Sequence, residues 1–350
     1  MTARDSFATT PLAAIALSLC ALLGSACSPL TKAPAPVPAP AGPLANFERM
    51  IEGEWGMKFT SGTSMFTQWT WGPGKHSIRS QTYGSGAGGE PWRGMRVIYK
   101  VGEQEVRTLG ISPFARGVSE GTMKFEGDAA EATFDISQRG GNPMVEGLDV
   151  RRMKTEWSFT TPDEYRDTLL EDTGRGYLPL NLLEVIRSTP RSALPPSNPA
   201  SMPAPSERWT HFHRFIERAG DEEVLLVSKL GAAPLRAKLE WIPYAEALLL
   251  RTFSAKNDQE PDLLLDATIY HHTKTETFRC LVLTKAGRVF EGDVLLRSES
   301  QIDFTIEGTG EGERVPGRGR LELGEKGEVR LKVWSADSGG APLFDLESPE

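Results

Sequence analysis

The sequence predicts an all-β chain: two tandem antiparallel β-barrels produced by internal duplication, preceded by a signal peptide and a Pro/Ala tether. Three observations point there. First, Phe125-Glu126-Gly127-Asp128 in the front half returns as Phe290-Glu291-Gly292-Asp293 in the back half. Its company is co-linear: Trp71, Pro73 and Ile78 are matched by Trp241, Pro243 and Leu248, Ile98-Tyr99 by Ile269-Tyr270, and Phe134 and Ile136 by Phe304 and Ile306. Matching residue types in the same order at a near-constant offset mark a repeated unit. Second, both halves break into short strand-like runs punctuated by Gly, Pro, Asn and Asp, without repeated amphipathic helices between them, which argues against a parallel βαβ fold. Third, a Pro-rich stretch separates the halves.

At 350 residues the chain has room for two ordinary domains and a leader. Its 39% apolar and 25% charged content suits a soluble globular protein, and 35 Gly with 25 Pro fit many turns and some linker. A formal charge of −8 with no basic run argues against a nucleic-acid partner. The three cysteines, Cys20, Cys27 and Cys280, are too few and too scattered for a disulfide framework or a metal cluster, and no cofactor is predicted.

Residues 1–26 read as an export signal: Arg4, then an apolar run from Pro11 to Leu23, then small residues. The run is too short for a permanent bilayer span. Leu22-Leu23-Gly24-Ser25-Ala26-Cys27 resembles the lipobox of bacterial lipoproteins, departing from it at Gly24, where that family usually has leucine. The resemblance implies cleavage before Cys27 and acylation of that residue as the lipid attachment site. Ser28 in the next position implies sorting to the outer membrane of a Gram-negative bacterium, facing the periplasm or the surface. Several acyl chains at about 0.8 kcal/mol per buried methylene make a firm anchor. Residues 27–44, with alternating Ala and Pro from Ala33 to Pro40, form an extended tether that would hold the folded part about 50 Å from the membrane. With Cys20 removed and Cys27 acylated, Cys280 is left as a small buried hydrophobe in a strand-like run.

The first domain spans 45–187. Phe47 to Met50 starts it as a short helical or capping segment. Gly53-Glu54-Trp55 resembles the opening signature of the lipocalin-like (calycin) barrels, which implies a tryptophan packed across the closed end of a barrel. Strands are expected at Ser64–Trp71, His76–Tyr83, Met95–Val101, Glu105–Ile111, Thr122–Phe125 and Ala132–Ile136, with Arg152–Phe159 and Tyr165–Glu171 closing the barrel. Pro162-Asp163-Glu164 offers an alternative helix start capped by Thr161. Gly117-Val118-Ser119-Glu120-Gly121 matches the Gly-x-Ser-x-Gly elbow of serine hydrolases. That chemistry needs a strand-turn-helix context, an acid and a histidine, whereas Ser119 reads as part of a hairpin turn between strands. Gly84 to Gly89 reads as a loop tip, since no Lys-Ser/Thr or helix follows it to make a phosphate cradle.

Ser188 to Ser206, with six prolines, is the interdomain linker, and 207–350 is the second domain. Trp209 to Arg218 opens it as an amphipathic, helical segment. Ala237/Leu239/Trp241, Ile302/Phe304/Ile306 and Val329/Leu331/Val333 alternate with polar residues, the pattern of antiparallel strands with one wet face. Thr284–Gly287 and Gly324–Gly327 read as hairpin turns, and Ala336–Glu350 as a loosely held tail. His211 and His213 would share a face if extended, while His271 and His272 point to opposite faces of a strand, so no metal set is assembled by spacing alone. Glu126/Asp128 and Glu291/Asp293 sit around glycines that imply a bend in the strand and a role in the fold.

The expected function is a membrane-anchored envelope lipoprotein that binds a small apolar ligand in a barrel cup, with Trp69, Trp71 and Trp241 as candidate lining residues. The alternative is a non-catalytic scaffold or interaction lipoprotein with filled barrels. The third reading is a serine hydrolase acting through Ser119.

Overall fold

The computed structural model describes residues 42–348 apart from 52, 59–63, 86–90, 103–104, 113–116, 140–147, 189–205, 220–222, 231–232, 243–244, 256–261, 310–315, 326–327, 336–341 and 343. The expected signal peptide, Cys27, most of the tether and most of the linker lie outside the described residues.

The first ten strands are β1 (Glu54–Lys58), β2 (Ser64–Trp71), β3 (Ser77–Ser85), β4 (Pro91–Val101), β5 (Glu105–Ser112), β6 (Gly117–Glu126), β7 (Ala129–Arg139), β8 (Leu148–Thr161), β9 (Glu164–Asp172) and β10 (Tyr177–Ser188). The second ten are β11 (Val224–Ser228), β12 (Leu235–Ile242), β13 (Ala247–Ser254), β14 (Leu263–His272), β15 (Thr277–Thr284), β16 (Val289–Ser298), β17 (Gln301–Thr309), β18 (Pro316–Leu323), β19 (Val329–Ser335) and β20 (Phe344–Glu347). Each set is an antiparallel meander that closes on itself, β1 on β10 and β11 on β20. Closure pairs the first and last strand of each sheet, which protects their edges.

A helical segment plugs one end of each barrel. In Gly42–Met50, a 3-10 segment, the three-residue spacing of Leu44, Phe47 and Met50 puts all three on one buried face. Phe47 packs against Trp69, Phe125 and Trp157 at centroid distances of 5.8, 5.3 and 5.7 Å. Asn46 and Arg49 on its wet side hold the β6–β7 turn, donating to Gly127 O at 2.9 Å and Asp128 at 2.6 Å. In the second barrel a turn at Glu207–Trp209 runs into α1 (Thr210–Ala219), which buries Trp209, Phe212, Phe215 and Ile216. Trp55 of the Gly-x-Trp signature is fully buried at the plugged end of the first barrel, where its indole N–H donates to Met50 O at 3.0 Å.

Strand register corrects the alignment of the two copies. Ile78 pairs with Ile98 and Leu248 pairs with Ile269, so these positions are equivalent, as the echoes imply. Continuing outward from them, Thr108 and Gly121 correspond to Cys280 and Gly292. The true counterpart of Glu291-Gly292 is therefore Glu120-Gly121, not Glu126-Gly127. Phe125-Glu126-Gly127-Asp128 is the end of β6 and its hairpin turn, with Gly127 at φ 56°, whereas Phe290-Glu291-Gly292-Asp293 lies within β16. Phe134 likewise corresponds to Ile306 by pairing, not to Phe304. The strand reason is close approach. A Cβ at Gly121 would stand 2.1 Å from Thr133 O, and one at Gly292 would stand 1.8 Å from Thr305 O.

Four further expectations change. Gly117–Gly121 is strand, not turn, because Gly117 and Gly121 permit this close approach to β7. Residues 162–163 are a hairpin turn between β8 and β9, with no helix. β10, whose alternating Leu178, Leu180 and Leu182 are exposed rather than inward, closes the first barrel. Within the expected tail, Phe344–Glu347 is held as β20, paired with both β19 and β11.

The barrels pack side by side through a third apolar cluster, with Val97, Tyr99, Leu109 and Val118 from one and Leu249, Tyr270, Leu281 and Val289 from the other. Polar contacts across it are reciprocal. Tyr99 donates to Glu291 at 2.8 Å and its counterpart Tyr270 donates to Glu120 at 3.0 Å. Arg107 lies 3.7 Å from Glu291, and its counterpart Arg279 lies 4.0 Å from Glu120. The same patch on both copies meeting itself is the geometry of a two-fold dimer interface. A buried ion pair departs from the symmetry, Arg79 to Asp266 at 2.6 and 3.0 Å, with Arg79 also donating to Thr268 at 3.0 Å.

Candidate functional site

The inward faces of the second barrel enclose a cavity of about 150 Å³. Its wall is almost wholly apolar: Leu250, Ile269, Val282, Phe290, Val294, Phe304, Ile306, Leu331 and Val333 supply most of it, and Thr252, Thr284 and Cys280 are the polar exceptions. Small residues make the space. Ala267, Cys280 and Gly317 stand where larger side chains would fill the barrel. α1 fills the opposite half, leaving a residual void of about 10 Å³ between Ala219, Leu226, Ala237 and Leu239. The cavity thus lies in the half of the barrel away from the plug, under Pro316 and Trp334.

Cys280 is buried in this wall and is the free cysteine of the described residues. Burial in apolar surroundings pushes its thiol up to about 12, so it is an inert packing group rather than a nucleophile.

The three tryptophans named from sequence are placed elsewhere. Trp69 faces into the first barrel, against Phe47 and edge-on to Trp157 at 5.7 Å. Trp71 is partly buried at the margin of the same core, with the Lys75 ammonium 5.8 Å from its ring. Trp241 sits at the plugged end of the second barrel, 5.0 Å from Trp209 and 5.9 Å from the His213 ring. None of the three lines the apolar cavity. The alternation of Ile302, Phe304 and Ile306 and of Leu331 and Val333 did mark part of its wall, but alternation reports which face is inward and not whether neighbours fill it.

Ser119 faces the interior of the first barrel, near the start of β6. Of the five histidines, His76 precedes β3 beside Gly287, and the other four belong to the second domain. The elbow geometry that hydrolysis would need is therefore absent at Ser119 among the described residues. His211 and His213 lie on α1, where His213 pairs with Glu217 at 3.3 Å. His271 contacts Arg208 at 2.9 Å. His272 Nδ1 accepts from Thr275 N–H at 3.2 Å, which leaves Nε2–H to donate to Glu120 at 3.0 Å. No group of three or more metal-ligating side chains converges among the described residues. No helix among them is long and apolar enough to cross a membrane.

Compared with known proteins, the sequence matches no family model and no curated protein.

Proposed function

We propose that this chain is a membrane-tethered envelope lipoprotein whose second barrel holds a small apolar molecule. The observation that supports binding is the cavity of about 150 Å³ with its apolar wall. An apolar cavity of about this size stays dry and accepts guests on the scale of benzene. The support for tethering is Leu22 to Cys27 and the Pro/Ala run that follows. Native mass spectrometry of residues 28–350 tests the binding. The expected result is a discrete added mass that disappears on denaturation and is missing from Ala267→Phe, which fills the space. A bare polypeptide mass after incubation with membrane lipid extract would overturn it. Cys27→Ser tests the anchor and should release the protein from the membrane fraction.

A second reading has its own observation. β10 leaves Leu178, Leu180, Leu182 and Ile186 more than half exposed, a concentration of apolar side chains that suits a partner surface. It favours the scaffold alternative, in which the outside of the first barrel does the work.

A further inference from the structure

The two barrels share one architecture and each has an apolar core, but they differ in the part of the interior away from the plug. One lateral row shows it. In the second barrel Leu250, Ala267, Val282 and Phe290 are paired across adjacent strands and all line the apolar cavity. The equivalent row in the first barrel is Ser80, Arg96, Gly110 and Ser119. An arginine stands where the second copy has Ala267, and a serine where it has Phe290. Across the same interior lie Thr67, Thr82, Thr155 and Asp167, with Thr67 and Thr82 bonded through their hydroxyls at 2.9 Å. Asp149, Arg151 and Glu171 form a separate ion cluster, in which Arg151 is 2.8 Å from Asp149 and 3.8 Å from Glu171.

Arg96 is the unusual member. Its guanidinium is held 5.6 Å from the Phe134 ring and 5.7 Å from the Trp157 ring, by cation–π attraction on both. It makes no hydrogen bond or ion pair to any described residue. Asp167 is near enough to act on it electrostatically but is bonded instead to the Thr155 hydroxyl. Arg96, Ser119 and Asp167 all keep accessible surface although they face inward. Gly110 lets the Ser119 hydroxyl lie against the strand beside Arg96: a Cβ there would stand 2.3 Å from Ser119 Oγ and 3.9 Å from Arg96 Nε. Burial pushes the arginine down and the aspartate up from their ordinary values. A positioned fork of N–H donors with no acceptor matches a carboxylate, which it can hold through two parallel bonds. The neighbouring Asp167 disfavours a doubly charged anion and offers an acceptor for a hydroxyl or ammonium beside the carboxylate.

We infer that the first barrel is a binding site for a small polar carboxylate with a hydroxyl or ammonium donor on the adjacent carbon: the carboxylate on Arg96, the donor on Asp167. The polar wall of Ser80, Thr82, Thr108 and Ser119 excludes a long-chain acid and sets this site apart from the apolar cavity. The duplication thus yields two cups of different ligand class on one chain.

Isothermal titration of the full chain in detergent with L-lactate, L-alanine, propionate and glycerol tests this. The expected order is saturable binding of lactate or alanine, weaker binding of propionate, which lacks the donor, and none of glycerol, which lacks the carboxylate. Arg96→Met should weaken binding about 10- to 100-fold, the value of hydrogen bonds to a charged group. Asp167→Asn, nearly isosteric, should weaken lactate but leave propionate unchanged, a selectivity that a folding defect would not produce. Ala267→Phe should leave lactate binding intact, which separates this site from the apolar one. Absence of saturable binding by both lactate and alanine, binding of glycerol as tight as lactate, or undiminished binding in Arg96→Met would each overturn the inference.

Discussion

The buried pair between the barrels gives the sharpest energetic prediction. Arg79 and Asp266 have side chains only 6% and 4% exposed, and they meet through two hydrogen bonds at 2.6 and 3.0 Å. Arg79→Met leaves the Asp266 carboxylate in a desolvated interface with its charge unmatched. Breaking such a pair from one side costs about 3–5 kcal/mol, a hundred-fold or more in the equilibrium constant. Asp266→Leu should cost a similar amount, because Arg79 would then keep only Thr268 as a partner. The double variant Arg79→Met/Asp266→Leu removes both charges and replaces them with apolar groups of comparable size, so it should be more stable than either single variant. Urea unfolding followed by tryptophan fluorescence measures all four proteins. Single variants that lose under about 1 kcal/mol, or a double variant whose loss equals the sum of the singles, would refute the account of a desolvated, coupled pair.

The remaining predictions concern the strands, the interface and the cavity. Gly292→Ala should destabilise by about 1–3 kcal/mol or more, since its Cβ would lie 1.8 Å from a backbone oxygen. Gly174→Ala, at φ 76° with open space around it, should cost only the left-handed backbone penalty of about 1–2 kcal/mol, and thermal melts compare the two. Burial alone would push the Glu120 carboxyl up, but hydrogen bonds from His272 and Tyr270 and the nearby Arg279 charge outweigh it and hold the group below its ordinary value. A depressed folded pKa stabilises above the unfolded value and is lost as pH falls through the folded one. The interface should therefore weaken below the ordinary carboxylate range, and Glu120→Gln should flatten that acid limb in melts run across pH. Cys280, buried and pushed up to about 12, should react with iodoacetamide only as fast as its barrel opens. Labelling of the native protein at the rate of an exposed thiol would contradict its placement.

Much of the architecture was legible because it follows from local periodicity. Ser64–Trp71 alternates and is β2 at those bounds; Glu105–Ile111 is β5 but for its last residue; Trp209–Arg218 carries an amphipathic pattern and plugs the second barrel. β10 was hidden because Leu178, Leu180, Leu182 and Ile186 are exposed, so its apolar residues do not report an inward face. Ser119 was misread because two flanking glycines signal a turn in sequence, while in the barrel they allow neighbouring backbone to approach. The inward alternation of Ile302, Phe304 and Ile306 marked part of the cavity wall, but the cavity itself was not legible. Tryptophans attract notice as ligand-lining residues, but Trp69 and Trp241 are core packing, and the space is made by the smallness of Ala267, Cys280 and Gly317.

The sequence by itself determined that the chain is duplicated, that both copies are antiparallel β, and that a short helical segment opens each, because repetition, strand alternation and helical spacing are properties of neighbours along the chain. Only the tertiary structure decided which residues are equivalent, since a short shift in register moves Glu291 from the partner of Glu126 to the partner of Glu120. It also decided that the copies meet through matching patches, and that one interior is apolar while the other presents Arg96. Those facts depend on side chains far apart in sequence being brought across a closed sheet, where volume and charge must be balanced locally.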